Sequence, residues 1–525
     1  VATSWSEAYE KFTNVIAETT PERIAVIGGS RLTNEAQYVW SKITKGIIGT
    51  DNVDAQLDDG FSPEVLFSLN PATIDETCEP GGVIILLGAD PKEELGTLYL
   101  RLRHAIVQDQ CKLIELTPTK TGLSKLATHS IRVPPGKTFE AVKALSGESS
   151  EFEDDILKEL LEVRKILKKS DSVSVLMGRT SLAETSSIVE EGAIALQEYL
   201  PKASFLPLLR RGNVNGAIDM GLSPGLLPGR CNLEGGSEEL QDYWPKRPTH
   251  KGFNTKETLE AAVNGQIDVL VLLASDPLMD FPDSQLVQEA LERIETVVAV
   301  DIFATDSVLQ ADIVLPAAAT TEIDGSFTNL EGRISPIRKS VTPPGTARPD
   351  WMIALDLIRY LAPNSGPTTF KELCEEISIV SGIHKDLDFL KVEQIDREGF
   401  ILSRGFHKTQ TPSVKIPKQK TNSFRLVVTR SMYDKGVLSA HSAALKGLAP
   451  GSQVKANPED MEKLGITSES TVRLIGSKGE IRTRLTPDPE TTRGTIHALW
   501  NQDGPDIRKL IDSSLPVNDL KIEKT

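Results

Sequence analysis

The sequence predicts an α/β protein: repeated βαβ units in two parallel-sheet domains, followed by a C-terminal β-barrel domain. Three observations predict it. Short apolar runs of strand length end in Gly, Pro or Asp turns and lead into helical patterns. One such unit occurs twice with the same landmarks. The C-terminal part of the chain then switches to short strands and hairpin turns, for which a compact barrel is the natural closure.

The elements run in order. The segment VATSWSEAYEKF reads as an amphipathic helix. Arg23–Gly28 (RIAVIG) reads as a strand entering a turn at Gly28-Gly29-Ser30, and Asn34–Thr44 as a helix with Ala36, Val39, Trp40 and Ile43 at helical spacing. The first copy of the repeat starts at Gly82–Leu87 (GVIILL) and turns at Gly88-Ala89-Asp90-Pro91. It continues through a helix over Glu93–Gln108 and a strand over Lys112–Leu116, then Ala127–Val133 runs into Pro134-Pro135. The second copy starts at Ile267–Leu273 (IDVLVLL) and turns at Ala274-Ser275-Asp276-Pro277. It continues through a helix over Ser284–Ile294 and a strand over Thr296–Asp301, then Ala311–Leu315 runs into Pro316. The shared apolar run ending in Leu-Leu, with Asp-Pro after it, favours true repetition over chance likeness, with right-handed parallel connections.

Between the copies lie a charged helix (Glu153–Lys169), a strand (Ser172–Met177), a helix (Ser181–Leu200) and the Gly- and Pro-rich stretch Arg210–Arg230. The Gly, Asn and apolar residues of that stretch favour an ordered loop over a solvated linker. Arg404–Arg430 contains no acidic residue and reads as a linker with a solvated basic surface. Phe424–Thr429, Thr471–Gly476 and Glu480–Leu485 read as strands, the last two joined by the turn Ser477-Lys478-Gly479. Asn457–Leu464 reads as a short helix stopped by Gly465.

Ala311–Arg333 (ADIVLPAAATTEIDGSFTNLEGR) is the most informative single stretch. A short apolar run stops at Pro316, and the polar loop after it has Asp324-Gly325 and Glu331-Gly332 as turn signals. Open α/β sheets bind ligands at such strand ends. A hairpin with two glycine turns and no ligand fits the same residues.

Composition narrows the function classes. At 525 residues the chain has room for roughly three or four domains. Its 39% hydrophobic and 25% charged residues are ordinary for a globular protein. A net charge of −16 argues against a nucleic-acid surface. No apolar run approaches the ~20 residues of a membrane span, and the N-terminus lacks the basic and apolar regions of a signal peptide. Val1 in first place fits a piece of a longer chain. Cys78, Cys111, Cys231 and Cys374 are far apart, with no CxxC, and the seven histidines form no HxxH or HExxH. A local zinc or iron–sulfur signature is therefore missing, and sparse cysteine fits a reducing compartment.

Other chemistries fail on spacing. Pro135-Gly136-Lys137-Thr138 has the tail of a phosphate loop, but Ile131 stands where that loop needs its first Gly, so it reads as a turn and helix start. No GxGxxG comes after a strand and no GxSxG is present. Asp58 and Asp59 are adjacent and diverge along the chain, which reads as exposed loop charge.

Four stretches together resemble the molybdopterin oxidoreductase superfamily. They are Ile27–Asp54, with Thr33-Asn34-Glu35 and Asn52-Val53-Asp54; Asn213–Gly229, with Gly216-Ala217 and Asp219-Met220-Gly221; the Asp276-Pro277 unit running into Ala311–Arg333 and Arg348-Pro349-Asp350-Trp351; and the tail, with Asn457-Pro458-Glu459-Asp460, Lys463-Leu464-Gly465-Ile466 and Val517-Asn518-Asp519-Leu520. The resemblance implies a discontinuous α/β domain (1–80 with 221–365), an inserted α/β domain (81–220), a helical segment and linker (366–423), and a barrel of double-psi type (424–525) similar to the family's dinucleotide-binding domain. The pterin-type pocket it implies, taken as vestigial, would be lined by Gly28, Asn34, Gly88, Asp90, Asn213, Gly216, Gly221, Asp301, Asp324, Gly325 and Asn329. Each of these would serve equally as a turn or cap residue.

In catalytic members the Asn-Val-Asp loop resembles NVDxxxRxCHSP, with a Cys or selenocysteine bound to the metal. Here it reads Asn52-Val53-Asp54-Ala55-Gln56-Leu57-Asp58-Asp59-Gly60-Phe61-Ser62-Pro63, and Gly60 falls on the ligand position. Thiolate chemistry is lost there, although Asp59 would offer a hard oxygen ligand. Asp58 stands where the family often has Arg, and its carboxylate would repel a pterin pyrophosphate. This combination resembles the complex I branch, the large peripheral-arm subunits of proton-translocating NADH:quinone oxidoreductases, in which the region is a scaffold. The resemblance then implies no catalytic or metal-binding residue and no cofactor in this chain. It places iron–sulfur clusters in a missing N-terminal region, and makes the partners the other peripheral-arm subunits. It implies no nucleic acid, membrane contact only through partners, and a location on the cytoplasmic face of a bacterial inner membrane or the matrix side of a mitochondrial one. The alternatives are a catalytic molybdenum or tungsten bis-pterin enzyme, similar to formate dehydrogenase, which would carry molybdopterin, and a stand-alone nucleotide-binding α/β protein.

Overall fold

The computed structural model describes residues 2–148, 151–385, 399–402 and 413–525. The chain divides into two compact units. The first comprises Val1–Asp58, Arg211–Phe281 and Leu286–Arg404; the second comprises Asp59–Arg210, Pro282–Gln285 and Gly405–Thr525.

Strands β1 (Ile24–Gly28) and β2 (Val53–Asp54) belong to the first unit. Strands β3 (Val83–Leu87), β4 (Lys112–Thr117), β5 (His129–Arg132), β6 (Val173–Met177) and β7 (Ser204–Pro207) belong to the second. The first unit resumes with the small hairpin β8 (Leu226–Leu227) and β9 (Cys231–Asn232). It continues with β10 (Val269–Leu273), β11 (Thr296–Asp301), β12 (Ile313–Pro316), β13 (Gly325–Thr328), β14 (Arg333–Ile337) and β15 (Phe400–Ile401). The main sheet of the first unit has the order β12-β11-β10-β1-β2, and that of the second β5-β4-β3-β6-β7. Every pairing in both is parallel. The two copies of the repeat thus occupy the same three positions, β3-β4-β5 in one sheet and β10-β11-β12 in the other.

The strand residues explain this. β1, β3 and β10 are buried at every position, as parallel strands covered on both faces require, and they read as unbroken apolar runs. Edge strand β12 instead alternates buried and exposed residues and stops at Pro316. Around the first sheet pack Phe12, Tyr38, Trp40 and Ile43 on one side and Leu259, Phe281 and Val287 on the other. The opening helix runs from Trp5 to Glu18, with Ser4 and Glu7 forming a capping box.

Some sequence expectations need correction. The helix at Asn34 holds α-form only to Ser41 and continues as a π-helix over Lys42–Ile48. There the buried Lys45 ammonium lies 2.7 Å from Asp51 and donates to the Ser223 and Leu226 carbonyls. The single helix over Glu93–Gln108 is two, Pro91–Glu94 and Gly96–Val107, broken at Leu95. Ala311–Arg333 does enter a hairpin, β13 with β14, turning at Asn329–Gly332. Gly325 opens a strand rather than a turn.

The C-terminal strands are β16 (Phe424–Thr429), β17 (Val454–Ala456), β18 (Thr471–Ile475), β19 (Glu480–Arg484), β20 (Thr486–Pro487), β21 (Thr495–Leu499) and β22 (Asp519–Lys524). They form a seven-stranded, barrel-like mixed sheet in the order β19-β18-β22-β16-β21-β17-β20. Leu426, Val428, Leu474, Ile496 and Trp500 fill it. Of the basic stretch Arg404–Arg430, residues 404–412 lie outside the described residues, as do 386–398 and 403 of the segment before it. Two of its arginines are not solvated surface as expected: Arg425 and Arg430 are buried and ion-paired to Asp519 and Asp59. Among the described residues no helix is long and apolar enough to cross a membrane.

Candidate functional sites in the two units

The first unit gathers its polar residues where β1 and β10 end. Gly28 has φ +102°, and a Cβ there would lie 2.3 Å from the Leu273 carbonyl oxygen, so this close turn between neighbouring strands excludes a side chain. The next helix begins at Asn34, capped by Thr33, whose hydroxyl accepts from Ala36 N–H. Asn213 sits at the centre. Its amide nitrogen donates to the Leu32 carbonyl, to Asn34 Oδ1 and to Gln37 Oε1, and its oxygen accepts from Thr328 N–H at 2.8 Å. Asn34 Nδ2 donates to the Ser326 and Thr328 hydroxyls at 3.0 and 3.1 Å. Glu35 accepts from Ser326 N–H and Oγ–H, and burial pushes its carboxyl up to about 6.

Of the residues assigned to a pterin-type pocket, this cluster brings together Asn34, Asn213, Gly216 and Gly325. A Cβ on Gly216 would lie 2.0 Å from Asn34 Oδ1 and 2.2 Å from Asn213 Oδ1, and one on Gly325 would lie 2.7 Å from Thr33 Cγ2. The other residues serve locally. Asn329 turns the β13–β14 hairpin, its carbonyl accepting from Asn215 Nδ2 at 2.7 Å. Asp324 accepts from Lys339 N–H, and Gly221 lies just past the helix Val214–Asp219. Asp301 accepts from the N–H groups of Ile302 and Phe303; burial raises its carboxyl, and its Oδ2 has no hydrogen-bond partner. The sequence reading missed Arg31 and Arg211, which donate to one oxygen of Asp280 at 3.0 and 3.1 Å.

Gly88 and Asp90 belong to the second unit, and there they border a cavity of about 510 Å³. Gly88 has φ +78°, and a Cβ would meet the Gly178 carbonyl oxygen at 2.4 Å. Asp90 caps the helix Pro91–Glu94, accepting from Lys92 N–H, and its second oxygen accepts from Gly122 N–H at 2.9 Å; burial pushes its carboxyl up to about 6. Thr117, Arg179, Arg430, Lys455 and His497 also line the cavity. Glu94 reaches about 7, first because it is desolvated and then through Asp59, against the pull of Arg430 and Arg210. His497 is pushed down to about 4 by burial and accepts from, or donates to, the Thr429 hydroxyl at 2.7 Å.

The loop that the resemblance makes the metal-ligand position lies at this unit's start. Gly60 offers no donor atom. Asp59 is not the exposed loop charge expected of it: its side chain is buried and lies 2.8 Å from the Arg430 guanidinium. The oxygen ligand beside Gly60 is therefore already neutralised by a cation. Cys78 and Cys111 are buried elsewhere, with their thiols raised by desolvation, Cys78 to about 11. Among the described residues no group of three or more His, Cys, Asp or Glu side chains is placed to hold a metal ion. At the position the resemblance makes the metal ligand, Gly60 supplies no donor and the adjacent Asp59 is paired with Arg430, so these two residues do not fit a protein-to-metal bond there; the Asn34 and Asn213 side chains lie where a Cβ on Gly216 would go.

A parallel α/β architecture joined to a barrel-like sheet and a glycine-turned strand-end site define a molybdopterin-enzyme-like protein. The sequence model of the Molybdopterin oxidoreductase family matches residues 1–360, and the chain belongs to that family. It is 22% identical to NADPH-Fe(3+) oxidoreductase subunit alpha of Geobacter sulfurreducens over 99% of this chain and 66% of that protein. It is 23% identical to F420-dependent formate dehydrogenase 2 subunit alpha of Methanococcus maripaludis over 95% and 84%, and 26% identical to the NADH-quinone oxidoreductase G-type subunit 2 of Rhizobium meliloti over 95% and 62%. The chain thus spans just under two thirds of the Geobacter and Rhizobium relatives. Among solved structures, acetylene hydratase from Pelobacter acetylenicus has the same fold, with a TM-score of 0.63 at 14% identity, covering 98% of this chain and 85% of that one.

Proposed function

We propose that this chain is a scaffold region of an NADH:quinone oxidoreductase, a piece of its large peripheral-arm subunit that carries no metal chemistry of its own. The observation that supports it most is the loop at Gly60, where the ligand position has no side chain and the adjacent Asp59 is held by Arg430. The likeness to the Rhizobium NADH-quinone oxidoreductase subunit points the same way. In this reading the chain's partners are the other peripheral-arm subunits, and iron–sulfur groups outside this chain's residues carry the electrons. The membrane is met through those partners, on the cytoplasmic or matrix side. The polar cluster around Asn213 then serves as architecture, since its side chains satisfy one another. The test is to purify the assembled protein and measure metal and pterin. The expected outcome is no stoichiometric molybdenum or tungsten and copurification with iron–sulfur subunits. Stoichiometric metal, with pterin released on denaturation, overturns the proposal.

One observation favours a second reading. The second unit keeps a cavity beside the turn at Gly88, and the formate dehydrogenase relative is covered over most of its length. A catalytic molybdenum or tungsten enzyme would oxidise a small substrate such as formate with an artificial acceptor; absence of turnover in a metal-loaded preparation removes this reading. Stabilisation of the isolated chain by a nucleotide would instead favour a stand-alone nucleotide-binding protein.

A further inference from the structure

The loop Asp59–Pro63 is held at two points within the second unit. Arg430, just past strand β16, places Nη2 2.8 Å from Asp59 Oδ2, with side-chain exposures of 3% and 7%. Its guanidinium also lies over the ring of Trp500, 5.4 Å from the centroid, just past strand β21. On the loop's other side Glu190, buried in the helix Ser187–Tyr199, accepts from Ser62 N–H at 2.7 Å. One attachment thus reaches the barrel-like sheet and the other the α/β layer. Two buried charges brought this close are costly to separate, because removing one leaves the other desolvated and uncompensated.

We propose that the Asp59–Arg430 ion pair is an internal replacement for a metal–ligand link: a fixed guanidinium occupies the role of the cation and pins the loop Asp59–Pro63 to the barrel, so that the second unit is held together without a bound metal. The proposal rests on the metal-free reading above for its meaning, but the pairing itself is tested separately. A planar guanidinium suits the role better than an ammonium, since it holds the carboxylate and faces the Trp500 ring at once.

The experiment is a double-variant cycle in the full chain, reading limited proteolysis within residues 55–65 and equilibrium unfolding. Arg430→Met and the isosteric Asp59→Asn should each speed loop cleavage by about fivefold or more, and the double variant should be cleaved no faster than the faster-cleaved single one. The exchanged pair, Asp59→Arg with Arg430→Asp, should recover part of the protection. Should Arg430→Met fail to fold, Asp59→Asn with Arg430→Lys completes the cycle. Cleavage that is unchanged in the single variants, or effects that multiply in the double variant, overturns the proposal. Metal found in the wild-type protein while the cycle still shows coupling would overturn the metal-free reading and not the pairing.

Discussion

The two copies of the repeat share their Asp-Pro turns and differ mainly beyond them. In each, an Ala with positive φ (Ala89, Ala274) precedes the turn, a helix starts at the proline, and the aspartate ties its turn to the loop after the next strand: Asp90 to Gly122 N–H, Asp276 to the Ser307 hydroxyl and N–H. Burial pushes both carboxyls up to about 6. Four residues on, each copy carries another acid. Asp280 is gripped by two arginines at 3.0 and 3.1 Å, in a unit whose polar residues close on one another. Glu94 faces a cavity, with Arg430 engaged by Asp59. The same scaffold thus carries an acid gripped by arginines in one unit and an acid lining a cavity in the other.

The largest expected effects test the shared part. Gly28→Ala and Gly88→Ala each force a Cβ to within 2.4 Å of a carbonyl oxygen at positive φ. Each should destabilise by about 4 kcal/mol or more, with faster hydrogen exchange in the affected sheet. Equal losses support the repeat, and a harmless Gly88→Ala would show that the second unit's turn is adaptable. Next comes the part that differs. Asp280→Asn strips the anion from Arg31 and Arg211 and should cost about 3 kcal/mol in urea unfolding. Glu94→Gln should cost nothing at pH 8. Glu94 has a folded pKa of about 7, above its ordinary value of 4.5, so whatever stability it contributes is lost as pH rises through that window. Glutamine removes that loss, so the variant should match the wild type at pH 4 and equal or exceed it at pH 8.

The repeat itself was readable because Gly82–Leu87 and Ile267–Leu273 are apolar runs bounded by turn residues, and parallel strands buried on both faces leave that trace. Gly28, Asn34, Asn213 and Gly216 came from the family resemblance, by position, among eleven pocket residues; turn and cap preferences alone do not group them. What was not readable came from long-range charge. Nothing near Asp59 indicates that Arg430 will draw it inward, and nothing near Lys45 indicates that Asp51 and two carbonyls will receive its ammonium in a π-helix. Asp280 sat inside the Asp-Pro helix unnoticed, because its arginines come from β1's turn and from the Gly-rich stretch. Ion pairing across the chain has no local period, so pattern reading finds the elements and misses what joins them.

The finest test of the comparison is pH dependence. Asp276 is fully buried and Asp90 partly so, yet both have folded pKa values of about 6 against 3.8 for the free side chain. The folded state then binds more protons than the unfolded one between about pH 4 and 6, so each aspartate's contribution is complete below that window and falls as pH rises through it. His384 and His497, pushed down to about 4 by burial, act with the opposite sign, losing stability as pH falls from 6.5 towards 4. The two trends overlap, so the wild-type profile alone does not separate them. Differences between wild type and variant do: Asp276→Asn and Asp90→Asn should each remove a slope worth up to ~3 kcal/mol over that window, with Asp276→Asn offset by the weakened bond to Ser307. Titrated unfolding midpoints from pH 4 to 8 check this. Clearly unequal slopes for the two variants would mean that the two strand ends do not desolvate their aspartates alike, and would break the likeness of the two copies at their Asp-Pro turns.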